Sequence, residues 1–404
     1  MDISHRKVSK RIRFTDENGI PAAGKEIRIK QTNHSFLFGC GAFEFLQYAG
    51  KGDEDYKEAA KRFLDVFNYG TIPVYWGAYE PEEGHTDQDL ILKTARYLTD
   101  RNVKVKGHPL CWHTVCADWL LKYDNDTILN KQLGRIKREV TTFKGVIDIW
   151  DVINEVVIMP VFDKYDNAIT RICKEKGRVG LVREVFAMAH ECNPDAMLLI
   201  NDFNTSKDYE MLIDDCLSAD IPISAIGIQS HQHQGYWGRE KLEQVLNRYE
   251  RFGLPIHFTE NTLISGELMP GHIVDLNDWQ VDKWPSTPEG EERQAREIEE
   301  MYSILFSHPL VEAITAWDLR DGGWLKAPSG LIRKDSSVKP AYEVLKDLIT
   351  RKWHTDETVT ADENGYVLVS AFKGEYEMSM GDKTARMSLL DDEPASVVLK
   401  TDKQ

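Results

Sequence analysis

The chain has 404 residues, 42% of them hydrophobic, and it carries a formal net charge of −16 at pH 7. This composition supports a sizeable core and excludes wholesale disorder. An acidic chain without a cluster of lysine and arginine is a poor candidate for binding nucleic acid or an anionic membrane.

Targeting and redox signals are weak. The N-terminal segment MDISHRKVSKRIRF lacks the apolar stretch of a signal peptide, and no apolar run approaches the length of a membrane span. The six cysteines form no CxxC pair and no dense framework. We therefore expect reduced thiols in a cytoplasmic protein, although a secreted protein whose signal peptide had been removed would look the same. The sequence indicates no oligomeric state.

Residues 8–34 open the chain with two predicted short strands around the turn DENGIPAAG. Residues 354–400 close it with several more, around DENGY, FKGEYE and GDK. Short alternating strands separated by turn residues predict one small antiparallel β unit built from both ends. This unit could be a carbohydrate-binding module, but its small size and few clustered aromatics favour a structural role.

Between these ends, residues 36–350 alternate apolar runs with amphipathic segments. The strand candidates are FLFGC, YGTIPVYW, VKVKGHPL, IDIWDVIN, AMLLINDF, SAIGIQSH, PIHFTE and EAITAWDL. Runs that are apolar on both faces and followed by helices predict a parallel sheet. Eight such units favour a closed (β/α)8 TIM barrel over an open doubly wound sheet, and no GxGxxG or Walker pattern follows the early strands.

Polar and aromatic side chains follow most of these strands, at the barrel end where active sites lie. They are Glu80 after strand 2, His108, Trp112 and His113 after strand 3, Asn154 and Glu155 after strand 4, Asn201, Asp202, Phe203 and Asn204 after strand 5, Gln229 and His231 after strand 6, Glu260 after strand 7, and Trp317, Asp321 and Trp324 after strand 8.

Glu155 and Glu260 are the candidate catalytic pair. Carboxylates on roughly opposite rims can face each other across a sugar, which is the requirement for glycoside hydrolysis. A lone strand-end glutamate is more often a solvated rim charge or a salt-bridge partner than a catalytic group. The pair, with amide, histidine and tryptophan side chains on neighbouring strand ends, favours catalysis.

Other chemistries fit less well. HPLCWHTVC holds two histidines and two cysteines, and HQH follows at 231–233, but neither matches a common zinc spacing. No GxSxG motif supports a serine hydrolase. We therefore expect neither a metal nor a cofactor.

Several motifs in order resemble those of the glycoside hydrolase family 10 endo-β-1,4-xylanases over residues 36–350. GHPLCWH is similar to GHxLxWH, WDVINE to WDVxNE, INDFN to INDYN and IGIQSH to GIGxQxH, and GLIRKDSSVKPAY resembles the closing segment. The resemblance implies a retaining enzyme with Glu155 as acid/base and Glu260 as nucleophile. The substrate-binding residues we expect are His108, Trp112, Asn154, Gln229, His231 and Trp317 from the motifs, with Tyr75, Phe203 and Trp324.

A retaining mechanism sets requirements on both carboxyl groups. Glu155 must be protonated near neutral pH, and we expect the charge of Glu260 to raise its pKa. Glu260 must stay ionised, and we expect Asn154 and His231 to donate hydrogen bonds to it.

The chain departs from the family pattern beside this pair. Where the family has ENxxKW, which grips the glycone sugar, the chain reads TIPVYW, so that Thr71, Ile72 and Tyr75 replace Glu, Asn and Lys. TELD, whose Asp supports the histidine of strand 6, is TENT here, with Thr262 at the Asp position. The changes at Thr71, Ile72 and Tyr75 predict weak hydrolysis of plain linear xylan. Trp279 and Trp284, in the long segment after strand 7, could compensate as sugar platforms or could simply pack that segment.

The sequence thus predicts a retaining endo-β-1,4-xylanase-type hydrolase acting on xylan or xylo-oligosaccharides. The alternatives are a retaining β-glycosidase of shifted specificity, for decorated xylan or another β-linked glycan, and a non-catalytic glycan-binding barrel. The expected partner is a polysaccharide or oligosaccharide, with no nucleic acid and no membrane.

Overall fold

A computed structural model describes residues 1–401. Two strands, β1 (Lys7–Thr15) and β2 (Glu26–His34), precede a closed barrel of eight strands. Barrel strands 1 to 8 are β3 (Leu37–Gly41), β4 (Tyr69–Pro73), β5 (Lys104–His108), β6 (Ile149–Asn154), β7 (Met197–Asp202), β8 (Ala225–Gln232), β9 (Ile256–Leu263) and β10 (Val311–Ala316). Every neighbouring pair is parallel, and β10 closes on β3, so the predicted barrel is confirmed.

The barrel strands are buried on both faces because helices cover their outer side. All eight residues of β9 are buried, as are all five of β3. The inside is packed tightly enough to demand glycine in places. A Cβ on Gly107 would lie 2.1 Å from the ring of Trp150, so only glycine allows β5 and β6 to pair there.

Helices connect the strands. They are α1 (Phe43–Phe45), α2 (Lys57–Leu64), α3 (Trp76–Tyr79), α4 (Gln88–Thr99), α5 (Asn125–Phe143), α6 (Ala168–Lys176), α7 (Arg178–Cys192), α8 (Lys207–Ser218), α9 (Gly238–Tyr249), α10 (Pro288–Ser307) and α11 (Pro340–Asp347). Several begin at a capping side chain that accepts a bond from a free backbone N–H. Asp124 caps α5, Asn167 caps α6 and Thr287 caps α10, where Pro288 occupies the first turn.

The ends of the chain form two further sheets, where the sequence predicted one small β unit. Their remaining strands are β11 (Asp356–Thr360), β12 (Tyr366–Phe372), β13 (Gly374–Met380), β14 (Lys383–Leu389), β15 (Ala395–Val398) and β16 (Lys400–Thr401). One sheet has the order β12-β1-β15 and the other β11-β2-β13-β14-β16. An antiparallel unit was expected, but β1 pairs with β15 in parallel.

This terminal β unit has its own core and a fixed attachment. Ile12, Phe14, Ile27 and Ile29 are completely buried within it. Arg6 joins it to the barrel by donating to the carbonyl oxygens of Phe306, His308 and Val311 at 2.6 to 2.9 Å.

Within residues 1–401, no helix is both long enough and apolar enough to span a membrane. The six cysteines all belong to this part of the chain, and each is a free thiol.

Candidate active site

Glu155 and Glu260 lie at the same end of the barrel, on strands 4 and 7. Glu155 follows β6 with a φ of 57°, a left-handed conformation that is uncommon for a residue with a Cβ. Its N–H donates to the carbonyl of Asn201 at 2.8 Å, which holds this turn. Glu260 lies within β9, opposite a register shift between Ile228 and Gln229 of β8. Such bulges re-aim side chains at the rim of a barrel.

Glu260 is held ionised. Asn201 Nδ2 donates to its Oε1 at 2.8 Å, and His231 Nε2 lies 3.0 Å from its Oε2. Burial raises the pKa of Glu260, but the charges of His108 and His231 and the bond from His231 outweigh burial, so the pKa falls below its ordinary value. The prediction that Asn154 donates a hydrogen bond to Glu260 is wrong. Its Oδ1 instead accepts from Asn201 and Gln229, because the neighbouring strand brings Asn201 closer to the carboxylate.

A buried charge cluster underlies Glu260. Lys106 Nζ donates to Asp151 Oδ2 at 2.6 Å, and His108 Nδ1 lies 2.7 Å from the same oxygen. His108 Nδ1 is also 3.9 Å from Glu260 Oε1. Burial raises the pKa of Asp151, but Lys106 and His108 outweigh it, so that carboxylate stays ionised. His108, Asp151 and Glu260 could together hold a cation by their atoms alone, but the Lys106 ammonium already neutralises Asp151.

Glu155 is in the opposite state. Trp112 Nε1 donates to its Oε2 at 2.8 Å and Gln229 Nε2 to its Oε1 at 3.2 Å. Its pKa nevertheless rises to about 8, mainly because the group is buried, with further contributions from the charges of Glu260 and Asp202. The charge of Glu260 was expected to raise this pKa, and it does, but desolvation makes the larger contribution.

Aromatic side chains line the opening around the pair. The ring of Tyr75 lies 5.5 Å from that of Trp112 and 5.7 Å from His108, and Trp317 lies 5.3 Å from His108. The ring of Trp324 is 4.7 Å from that of His231. Flat rings with donors beside them suit a sugar.

The structure therefore gathers most of the predicted site residues around one opening. Phe203 differs, because 45% of its surface is exposed at the rim and the preceding Asp202 turns inward to accept from the N–H groups of Val157 and Asn204. The prediction missed Lys106 and Asp151, the fully buried ion pair beside His108, and it gave Asn201 no role. Lysine and aspartate within apolar strand runs were the available signal.

Three other strand-end residues have structural partners. Glu80 pairs with Arg138 at 2.7 Å, and Asp321 pairs with Lys339 at 2.5 Å. His113 is buried, and its ring packs 4.5 Å from that of Phe162.

The positions that depart from the family pattern are also resolved. Thr71 and Ile72 are completely buried, so neither side chain is open to a ligand, whereas Tyr75 is partly exposed beside the pair. Thr262 Oγ1 lies 3.4 Å from His231 Nδ1 and 3.2 Å from His233 Nδ1, so one hydroxyl faces two imidazoles. Trp284 packs into the loop after strand 7 and donates to the Glu267 carbonyl.

Comparison with known families decides the assignment. The model of glycosyl hydrolase family 10 matches residues 50–348. The chain belongs to glycoside hydrolase family 10. The predicted family and enzyme class are thereby confirmed, and this family 10 protein is a glycoside hydrolase of the retaining type.

Relatives and solved structures agree with this placement. A β-1,4-xylanase of Dictyoglomus thermophilum is 30% identical over 313 residues, which cover 69% of this chain and 84% of that protein. An endo-1,4-β-xylanase/feruloyl esterase of Xylanibacter ruminicola is 24% identical, and the match spans 42% of its length. The crystal structure of xylanase 10B from Thermotoga maritima has the same fold, with a TM-score of 0.65, 22% identity and coverage of 79% of this chain and 96% of that chain.

Proposed function

We propose that this enzyme hydrolyses β-1,4-xylan-type chains, with Glu260 as nucleophile and Glu155 as acid/base. The observation that carries the role assignment is the opposite tuning of the two groups. The pKa of Glu155 is raised to about 8 and that of Glu260 is lowered, so at neutral pH one group carries a proton and the other a charge. A retaining glycosidase requires this combination.

The steps follow from these contacts. Glu260 attacks the anomeric carbon while Glu155 gives its proton to the leaving oxygen, and a glycosyl-enzyme ester forms. Esterification removes the negative charge of Glu260, which lowers the pKa of Glu155 and lets that group accept a proton from water. Water then attacks the anomeric carbon from the face that the leaving group left and displaces the Glu260 carboxylate, while Glu155 takes its proton. The two inversions together leave the product with its original configuration.

His108 and Asn201 support the nucleophile during this reaction. Asn201 and His231 hold the attacking carboxylate in place, and His108 faces it at 3.9 Å with its Nδ1 directed to Asp151. Gln229, Asn154 and Asn201 form an amide bridge. Gln229 donates to Glu155 Oε1 and Asn154 Oδ1, and Asn201 donates to Asn154 Oδ1 and Glu260 Oε1. The bridge couples the positions of the two carboxyl groups.

The relatives' names support a xylan-type substrate. The altered glycone positions support reduced turnover of plain linear xylan. Thr71, Ile72 and Tyr75 bring no charged donor, whereas a charge-assisted hydrogen bond is worth roughly 1.5 to 3 kcal/mol. Remote binding energy helps distort the sugar at the cleavage point, so its loss lowers kcat as well as affinity.

The test is a substrate panel with stereochemistry. We expect retention in the proton NMR spectrum of the first product, a carboxyl separation of about 5 to 5.5 Å in a crystal structure, and cleavage of xylo-oligosaccharides. Linear and substituted xylan fragments are compared with other β-linked oligosaccharides by kcat/KM. Inversion would contradict the roles, and linear xylo-oligosaccharides cleaved at ordinary family efficiency would contradict the effect of the altered positions.

The second candidate function is hydrolysis of a decorated xylan or a different β-linked glycan. Tyr75 favours it, because its ring stands where the family has a lysine and is partly open to the site. A best kcat/KM on such a substrate would select this candidate.

A further inference from the structure

Two loops that start at the catalytic strands touch each other. Loop 4, residues 155–167, follows barrel strand 4, and loop 7, residues 264–287, follows strand 7. Lys164 of loop 4 lies 2.5 Å from Asp275 Oδ2 and 2.7 Å from Asp278 Oδ1 of loop 7. Because Glu155 begins loop 4 and Glu260 precedes loop 7, this contact joins the two sides of the substrate opening.

The loop 7 end of this contact lies close to the nucleophile. Asn277, between the two aspartates in loop 7, accepts a bond from Trp324 Nε1 at 3.2 Å. The Trp324 ring is 4.7 Å from that of His231, which contacts Glu260. The loop 7 segment is thus joined to Glu260 through two side chains.

The loop 4 end of this contact is linked to Glu155. Tyr165, next to Lys164, packs 4.8 Å from Phe162, and Phe162 packs 4.5 Å from His113. The neighbouring Trp112 donates to Glu155. A continuous series of contacts and neighbouring residues therefore leads from one carboxyl group, through Lys164, to the other.

Both loops are also anchored to neighbouring loops of the barrel. Loop 4 is attached to the loop after strand 3 and loop 7 to the loop after strand 8, through His113 and Trp324. Strands 1 and 2 lie between those two loops in the barrel. Tyr75 follows strand 2, so this altered position lies between the two loops to which loops 4 and 7 are anchored.

We propose that Lys164, Asp275 and Asp278 form a latch across the substrate opening that favours short oligosaccharides over polymer. A short oligosaccharide can enter by one end while loops 4 and 7 remain in contact. A polymer bound in the middle continues past the opening, so it requires the loops to part. This inference rests on the proposed function and adds a length preference to the same site.

The latch is weak enough to open. The Lys164 side chain is 41% exposed, and those of Asp275 and Asp278 are 32% and 63% exposed. Exposed ion pairs contribute little and are screened by salt, so an open population is always accessible. Breaking them is expected to change the open fraction by about two- to fivefold.

The experiment compares kcat/KM on soluble xylan with kcat/KM on xylotetraose for wild type and Lys164→Met. The variant is expected to raise the polymer-to-oligosaccharide ratio about two- to fivefold. Lys352→Met is the matched control, since Lys352 forms a similarly exposed pair with Glu299 and should leave the ratio unchanged. Added salt should raise the wild-type ratio and not that of Lys164→Met.

Charge reversal separates the latch from a general effect of removing lysine. The triple variant Lys164→Glu, Asp275→Lys, Asp278→Lys restores opposite charges and should return the ratio toward wild type. The double variant Asp275→Asn, Asp278→Asn should behave like Lys164→Met. An unchanged ratio in both Lys164→Met and the double variant overturns the proposal.

Failure of the proposed function has a different signature. It would appear as wild type that cleaves neither xylotetraose nor an aryl β-xyloside. The same ratio is then measured on the oligosaccharide and polymer of whichever β-glycan is cleaved, and the same outcomes decide the latch.

Discussion

The pKa of Glu155 depends on individual hydrogen-bond donors. Trp112 Nε1 stabilises the ionised carboxylate, so Trp112→Phe removes a favourable bond and should raise the pKa of Glu155 above about 8. Because Glu155 must be protonated to act, the basic limb of the kcat/KM profile should move to higher pH. Trp119→Phe is the control, since Trp119 Nε1 donates to the Glu80 carbonyl. A basic limb that stays in place in Trp112→Phe would show that this bond does not tune the acid.

The two carboxyl groups should respond differently to substitution. Glu260→Gln is expected to abolish turnover of every substrate, because no other group forms the ester. Glu155→Gln should lose about 10²- to 10⁴-fold on xylo-oligosaccharides but retain the first step on aryl glycosides with good leaving groups, which need no proton. A burst of phenol measured by stopped flow checks this. Equal losses by both variants on activated and unactivated substrates would mean that the roles are wrongly assigned.

At the scale of elements, β8 comes close to the Asn201 amide. A Cβ on Gly227 would lie 2.5 Å from Asn201 Oδ1, and Asn201 Nδ2 holds Glu260. Gly227→Ala should therefore displace that amide, destabilise the fold by about 1 to 3 kcal/mol and lower kcat/KM by about tenfold or more, a loss of roughly 1.4 kcal/mol in transition-state stabilisation. Thermal unfolding and steady-state kinetics measure the two effects.

The control for that substitution is Gly134→Ala. Gly134 is inside α5, and apart from the helix's own neighbouring backbone no atom lies within 4 Å of an added Cβ. This variant should keep full activity and gain slightly in stability, because alanine favours a helix over glycine. Normal kcat/KM in Gly227→Ala would show that Asn201 tolerates the extra methyl group.

The barrel strands could be predicted because burial on both faces leaves an unmistakable apolar run, as in AMLLINDF. Their ends then located Glu155 and Glu260. The amide partner of Glu260 could not be predicted, although His231 was, since Asn154 and Asn201 both lie at strand ends and only the register between β6 and β7 decides which amide reaches the carboxylate. The contact of Lys164 with Asp275 could not be predicted either, because the conformations of long loops depend on tertiary packing rather than on the local sequence.

For the whole molecule, Glu155 links catalysis to stability. Its pKa is about 8 in the folded protein against an ordinary 4.5, so between these values the unfolded chain releases a proton that the folded chain retains. Wild type therefore loses stability as pH rises through this window. Glu155→Gln has no such proton, and its Tm relative to wild type should increase from pH 5 to pH 8 in calorimetry.

Glu260→Gln provides the opposite case. The pKa of Glu260 is lowered on folding, so its contribution is complete above its ordinary value of 4.5 and is lost only as pH falls below it. From pH 5 to pH 8, the Tm of Glu260→Gln relative to wild type should rise less than that of Glu155→Gln, because only the lower pKa of Glu155, caused by loss of the Glu260 charge, contributes. A parallel pH dependence in the two variants would mean that the groups are not tuned in opposite directions.

The terminal β unit should matter for stability more than for binding. Removing residues after 354 leaves β1 and β2 without β12 and β13, and it exposes the buried faces of Ile12 and Ile29. We expect a lower Tm, because apolar burial that stabilises the fold is lost. KM for soluble oligosaccharide should stay within about twofold of wild type, because the terminal β unit contributes none of the site residues. Selective loss of polysaccharide binding by a folded truncation would instead identify a carbohydrate-binding module.

The interleaving of the terminal strands also bears on how the chain is made. β1 lies between β12 and β15, and Lys7 pairs with Phe372. On a ribosome that adds ~5 to 20 residues per second, the first strand waits roughly 20 to 70 s for its partner. During that interval, the apolar side of β1 and the open edges of β1 and β2 are available to chaperones or to other nascent chains. Slower translation should therefore increase co-translational aggregation of the full-length protein, and a variant lacking residues 1–35 should escape this effect.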